Sequence, residues 1–551
     1  MPRRAADLLV DCLAAHGVER VYCVPGESYL AALDALHDSN AIQTVVCRHE
    51  SGAGFMAVGE AKLTGHSGVA FVSRGPGATN ASIAVHVAEQ DAVPLVLFVG
   101  QVPRAEIGRR SFQEVDYAKT FSDMAKAVYL IHDASRIPEI VARAFVEAEA
   151  PTPGPVVVVL PEDMLEDAAD APVVEPLRVP QAGPAAAADI AEIAALIAGA
   201  ERPLLIAGGS GIGTARGRKA LLAASEAHGL PVALTFKRQD YFPNAHPNYA
   251  GHLGFKIAKA AVARYLEADL ILAVGTRLGE ATTQGYTLPA SPVPAQPLVH
   301  VHDDPHQIGR NYTASKALVA DPVAVLEALA ALSAEVPPQR AKWLEKLHDP
   351  VARAMPWTAP ADGLLDMGPV VAALILRLGR DAILVTDAGN FSGWLHRHFP
   401  FSGEHVLVGA VGGAMGIGMP AAVAAALRFP ERQVICFIGD GGALMTGSEL
   451  ATAVQYGAKV KTFISSNGTY GTIRMHQEMY YKGRVHGTQL TNPDFARWGE
   501  SFGALGLTIA SIEEAAGVVE QALAHDGPVV VDVRTAAEHI TPFTTIAALR
   551  A

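Results

Sequence analysis

Short runs of β-branched and other apolar residues recur along most of this 551-residue chain, each followed by turn residues and a helical pattern. Val69 to Ser73, Val93 to Val99, Pro203 to Ala207, Leu270 to Val274 and Val434 to Ile438 are examples. A strand apolar at nearly every position, instead of at alternate ones, is covered on both faces. Strands joined through helices run parallel, because a tight hairpin leaves no room for a crossover. The pattern therefore predicts an α/β chain built from doubly wound parallel sheets. At this length one core does not suffice, and two to four domains are expected.

Three blocks of this kind follow one another. In residues 1–165, a helical pattern at Ala5 to Ala15 leads to strands at Val21 to Val24 and Val45 to Cys47. A helix at Ser51 to Thr64 follows, then strands at Val69 to Ser73, Val93 to Val99 and Val156 to Leu160. Residues 166–190 carry prolines and few apolar contacts and read as a linker. The second block, 190–335, holds strands at Pro203 to Ala207, Pro231 to Thr235, Leu270 to Val274 and Val299 to His302, with the loop Gly208-Gly209-Ser210-Gly211. Glu335 to Asp362 reads as a proline-bearing connector. The third block, 366–551, has strands at Ala382 to Thr386, Val434 to Ile438, Val460 to Ser465 and Pro528 to Val533, and a glycine-rich run at Gly409 to Gly418 leading into a helix.

Charge and cysteine usage exclude several classes. A formal charge of −13 with no compensating basic stripe argues against nucleic-acid binding. The four cysteines stand singly among apolar residues, without metal-site spacing, and fit buried thiols in a reducing cytoplasm. No 18-residue apolar run is free of charges or turn signals, and the first residues lead into an amphipathic helix instead of a signal peptide. A cytoplasmic location is expected.

The chemistry concentrates at Gly439-Asp440-Gly441-Gly442, just past the strand Val434 to Ile438. The next strand brings Ser466-Asn467-Gly468-Thr469 to the same carboxyl edge, where ligands gather in open α/β sheets. Asp440, Asn467 and the Thr469 carbonyl are hard oxygen donors of the kind magnesium prefers. Glycines 441 and 442 permit a tight turn that brings amides close to phosphate oxygens. A helix starting near Gly447-Ser448-Glu449 is expected to point its amino end at the site. The alternative is an ordinary glycine turn.

Gly439-Asp440-Gly441 with Asn467 resembles the signature that binds magnesium and thiamine diphosphate in the acetolactate synthase-like enzymes. Arg48-His49-Glu50, Gly75-Pro76-Gly77-Ala78-Thr79-Asn80, Gln101-Val102-Pro103 and Phe112-Gln113-Glu114 are similar to that family's first domain. Gly412 to Pro420 is similar to its third. The family usually has two adjacent asparagines where this chain has Ser466 and Asn467. The resemblance spans essentially the whole chain and implies a pyrimidine-binding domain, a Rossmann-like middle domain and a diphosphate-binding domain, in that order.

It also implies roles. Asp440, Asn467 and Thr469 would hold the metal. Gly389, Asn390, Gly439, Gly441, Gly442, Ala443 and Gly471 would surround the diphosphate. Gly413 and Met415 would address the aminopyrimidine and bend the cofactor, with Gly26 and Asn80 nearby. Glu50 would bond the pyrimidine N1′ and promote loss of the thiazolium C2 proton; the bland alternative is a helix cap beside Ser51. Gln113, Glu27 and His476 would face substrate, although Gln113 could equally be a loop residue, and Arg474 and His476 could be solvated helix residues. His476 stands where the biosynthetic enzymes have a tryptophan. Because Glu50 and Asp440 lie in different domains, the resemblance implies a homodimer or tetramer with shared sites. Flavin (FAD) in the middle domain is possible but not expected to be essential. The implied reaction is decarboxylation of a 2-keto acid and carboligation through a C2 enamine. The alternatives are a 2-keto-acid decarboxylase and a silent thiamine-nucleotide binding protein.

Overall fold

The computed structural model describes residues 3–255, 257–332 and 335–551, which form three six-stranded sheets and a small two-stranded one. Every pairing within the six-stranded sheets is parallel. Helices cover both faces, so central strands such as Leu95–Gln101 and Pro155–Pro161 are buried at every position. This is the arrangement the unbroken apolar runs require.

The first and third sheets share one topology. Numbering strands within each domain, both run 2-1-3-4-6-5 across the sheet. In the first, the order is Gln43–Val46, Arg20–Cys23, Gly68–Val72, Leu95–Gln101, Pro155–Pro161 and Ala127–Leu130. In the third it is Val406–Gly409, Ile383–Thr386, Val434–Gly439, Val460–Ser465, Val529–Val533 and Leu505–Ile509. The middle sheet runs 3-2-1-4-5-6, the order of dinucleotide-binding folds.

Five strands of the six-stranded sheets escape the sequence reading, namely Ala127–Leu130, Tyr249–His252, Lys316–Val319, Val406–Gly409 and Leu505–Ile509, as do the two short strands of the small sheet, Arg3–Arg4 and Ala168–Ala169. All five are edge strands. An edge strand has one neighbour, and most of these five are only partly buried, so their apolar signal is diluted. The stretch from Glu335 to Asp362 is also more ordered than a connector. It contains the helix Gln339–Ala354, which buries Arg340, Trp343 and Leu347 against the middle domain. Among the described residues no helix is long and apolar enough to cross a membrane, and all four cysteines are buried free thiols.

The first and third domains of one chain are joined by a helix crossing. Glu50–Thr64 packs on Gly418–Arg428, and their alanines and glycines belong to one continuous core. The approach is close: a Cβ on Gly59 would lie 2.8 Å from the Ala421 Cα.

Candidate active site

In the third sheet the order reverses between Ile383–Thr386 and Val434–Gly439, and a cavity of about 230 Å³ opens at the carboxyl edge there. Crevices at such switch points are where open α/β sheets take ligands. Gly389, Asn390, Gly413, Met415, Gly439, Asp440, Gly441, Gly442, Asn467, Thr469 and Gly471 all line it. They arrive from the ends of four different strands, so the cavity exists only once the sheet is assembled.

Asp440 is the buried centre of the cavity floor. Its Oδ2 accepts from the Asn467 N–H (3.1 Å), the Gly468 N–H (2.8 Å) and Asn492 Nδ2 (2.8 Å). Among the described residues its Oδ1 accepts only the Gly441 N–H, at 2.9 Å, which leaves that oxygen acceptor capacity for a cation. Burial pushes the carboxyl above its ordinary range, and the hydrogen bonds from Asn492 and the backbone oppose this. Asn467 Oδ1 accepts the Thr469 N–H at 3.0 Å, so the three residues expected to supply metal donors are joined in one hydrogen-bonded knot. A carboxylate, an amide oxygen and a main-chain carbonyl make the hard donor set that suits magnesium. Asn390 is held by Thr472, whose hydroxyl meets its side chain at 3.0 Å and its N–H at 3.2 Å.

Two details differ from the sequence reading. The helix beginning at the site is Asp440–Thr446 itself, and Gly447–Glu449 is a short 3₁₀ turn at its far end. Glycines 441 and 442 are therefore helical and needed for space. A Cβ on Gly441 would meet the Tyr470 ring at 2.4 Å, and one on Gly442 would meet Asp387 Oδ2 at 2.3 Å.

Asp387, which the sequence reading passed over, follows the adjacent strand as Asp440 follows its own. Both its carboxylate oxygens accept the Gly416 N–H, at 2.9 and 2.8 Å, and Oδ1 accepts the Ala388 N–H at 2.9 Å. It thereby fixes the loop that presents Gly413 and Met415. Burial pushes this carboxyl up to about 6. Nothing in the sequence signalled Asn492, which reaches Asp440 from a loop far along the chain.

The first-domain residues gather at a separate edge. Gly26 and Glu27, Glu50, Asn80 and Gln113 follow four strands of the first sheet in turn, again at its carboxyl ends. None lines the third-domain cavity. Glu50 opens its helix and accepts a hydrogen bond from Asn80 Nδ2 at 2.9 Å. The helix cap is His49, whose Nδ1 accepts the Ser51 N–H, so capping is not the task of Glu50. Gln113 has φ of +63° and its carbonyl accepts the Gly75 N–H, pinning its loop to the glycine-rich turn. Glu27 pairs with Arg74, which also holds Glu162. His476 stacks on Tyr480 along the helix Gly471–Tyr480, with ring centroids 6.1 Å apart. Arg474 faces Glu478, which also pairs with Arg550. Neither Arg474 nor His476 lines the cavity, which Thr472 and Ile473 reach instead.

Two doubly wound sheets with one strand order, and a cavity lined by an aspartate–asparagine knot, define a cofactor-binding α/β protein. The chain belongs to the thiamine pyrophosphate enzymes: residues 3–120, 190–329 and 387–533 match that family's N-terminal thiamine pyrophosphate-binding, central and C-terminal thiamine pyrophosphate-binding domains. Its relatives include the acetolactate synthase large subunit of Parasynechococcus marenigrum, 34% identical over 96% of this chain and 87% of that one. The acetolactate synthase isozyme 3 large subunit of Escherichia coli is 32% identical over 98% and 96%. A probable acetolactate synthase large subunit of Methanocaldococcus jannaschii is 32% identical over 96% and 91%.

Proposed function

We propose that the chain is a magnesium- and thiamine diphosphate-dependent lyase or transferase that decarboxylates a 2-keto acid and joins the remaining fragment to an acceptor carbonyl. The observation that carries this is the Asp440–Asn467–Thr469 knot at the third sheet's switch point, within a chain of this family. Asp440 Oδ1, Asn467 Oδ1 and the Thr469 carbonyl hold the cation; Gly389, Asn390 and Gly442 border the diphosphate; Gly413 and Met415 orient the pyrimidine. The cofactor, when bound, supplies the carbon that attacks the keto acid.

Glu50 holds or releases a proton at the pyrimidine ring, and Asn80 aims it by its hydrogen bond. Since no described first-domain residue lines the cavity within one chain, a second copy completes it. Exposed apolar side chains flank both half-sites and support this: Leu30, Ile83 and Phe112 on the first domain, Leu444, Met445 and Ile473 on the third. Gln113 and Glu27 then border the substrate, together with the helix that carries His476. No flavin is required for this chemistry.

The deciding experiment is product analysis with a panel of 2-keto acids and aldehyde acceptors. Carboligated 2-hydroxyketone or acetolactate is expected. Free aldehyde alone would replace carboligation by simple decarboxylation, and no turnover with any donor would overturn the reading. A bound yellow chromophore in the purified protein would reopen the case for flavin.

A further inference from the structure

Glu449 is fully buried, yet among the described residues it has no ion-pair partner, and it does not line the cavity. Its carboxylate instead reaches across the domain junction to the first domain's backbone. The Arg48 N–H donates to both oxygens, at 3.0 and 3.2 Å, and the His49 N–H donates to Oε1 at 3.0 Å. The Thr452 hydroxyl donates to Oε2 at 2.7 Å. These two backbone amides immediately precede Glu50, at the amino end of its helix, where orphan N–H groups and the helix dipole favour an anion. Space is tight around it: a Cβ on Gly52 would lie 2.1 Å from Glu449 Oε1.

Neighbouring contacts make the same connection. The Tyr456 hydroxyl accepts the Val46 N–H at 2.9 Å, and Arg48 reaches Gln455 Oε1 at 2.6 Å. The third-domain segment Gly447–Tyr456 thus grips the turn between the strand Gln43–Val46 and the helix that starts at Glu50. The same segment continues directly from Asp440–Thr446.

We propose that Glu449 is a positioning residue for Glu50: its carboxylate fixes the two peptide groups before Glu50, and so sets where the Glu50 carboxyl stands relative to the pyrimidine. This rests on the role given to Glu50 above. It also ties the metal-holding segment of one chain to the carboxyl that the same chain contributes to its partner's site.

The test uses full-length holoenzyme with thiamine diphosphate and magnesium. Glu449→Gln keeps the shape but replaces one of the two accepting oxygens with an N–H donor, which in either orientation faces the Arg48 N–H. It is expected to lower kcat about tenfold to a hundredfold, as misplacement of a reacting group does. Affinity for thiamine diphosphate and oligomeric state should stay as in the wild type, and Glu449→Asp should recover part of the loss. Gly52→Ala displaces the carboxylate without altering it and should reproduce the defect, which keeps the test open if Glu449 variants fold poorly. In the double variant with Glu50→Gln, the Glu449→Gln loss should vanish, because both act through one group. Unchanged kcat in Glu449→Gln and Gly52→Ala, or additive losses in the double variant, would overturn the inference. Full turnover in Glu50→Gln alone would instead overturn the role of Glu50.

Discussion

The first and third sheets have the same strand order and the same packing, yet their carboxyl edges carry different chemistry. The third edge is polar and inward-looking: Asp387 and Asp440 are buried carboxylates held mainly by backbone N–H groups, and they border or approach the cavity. At the first edge the carboxyl proposed to act, Glu50, is only half-buried and accepts from the Asn80 side-chain amide. Topology therefore provides two equivalent edges, and the residues after each strand decide what chemistry each edge carries.

The comparison breaks most severely at Asp440. Asp440→Ala removes the carboxylate proposed to hold the metal and leaves the Asn467, Gly468 and Asn492 donors without that acceptor. Magnesium-dependent affinity for thiamine diphosphate should fall at least about a hundredfold, read by calorimetric titration. Glu50→Gln attacks the other edge and should separate the two: turnover should drop on the order of a hundredfold to ten-thousandfold while the cofactor still binds. Equal loss of cofactor binding in both variants would erase the distinction between the edges.

Smaller effects probe what surrounds the sheets. Lys237, from the middle domain, is buried near Asp387 with no hydrogen-bond partner for its Nζ among the described residues. Desolvation pulls this amine from its ordinary 10.5 down to about 8, against the attraction of Asp91 and Asp387. Below pH 8 the charge is buried in the folded state, so the cost is fully present. Between about pH 8 and 10.5 the folded state loses its proton first, and stability rises. Lys237→Met should therefore stabilise the protein at pH 7 by about 3 kcal/mol and remove that alkaline rise, measured by denaturant unfolding across pH. Gly59→Ala forces apart the helices that join the first and third domains, and should cost about 1–3 kcal/mol by overpacking. Retained stability would mean the crossing relaxes easily.

Much of this was legible because central strands and strand-end motifs are local. Val434–Gly439 announced itself by composition and Asp440 by its glycines, and the structure puts both at the switch point. Five of the six edge strands of the large sheets were not legible, since half-exposed residues such as those of Leu505–Ile509 carry little apolar signal. Nor were Asp387, Asn492 and Glu449: an acid or amide matters there only through partners distant in the chain.

What the sequence determined unaided was the parallel α/β class and its three successive blocks, because burial on both strand faces is written residue by residue. Which strands became neighbours, which carboxylates lost water, and how a third-domain glutamate came to hold the amides ahead of Glu50 were decided by tertiary packing alone. Hydrogen bonds between groups some 400 positions apart, such as Arg48 and Glu449, depend on a folded geometry that no local pattern encodes.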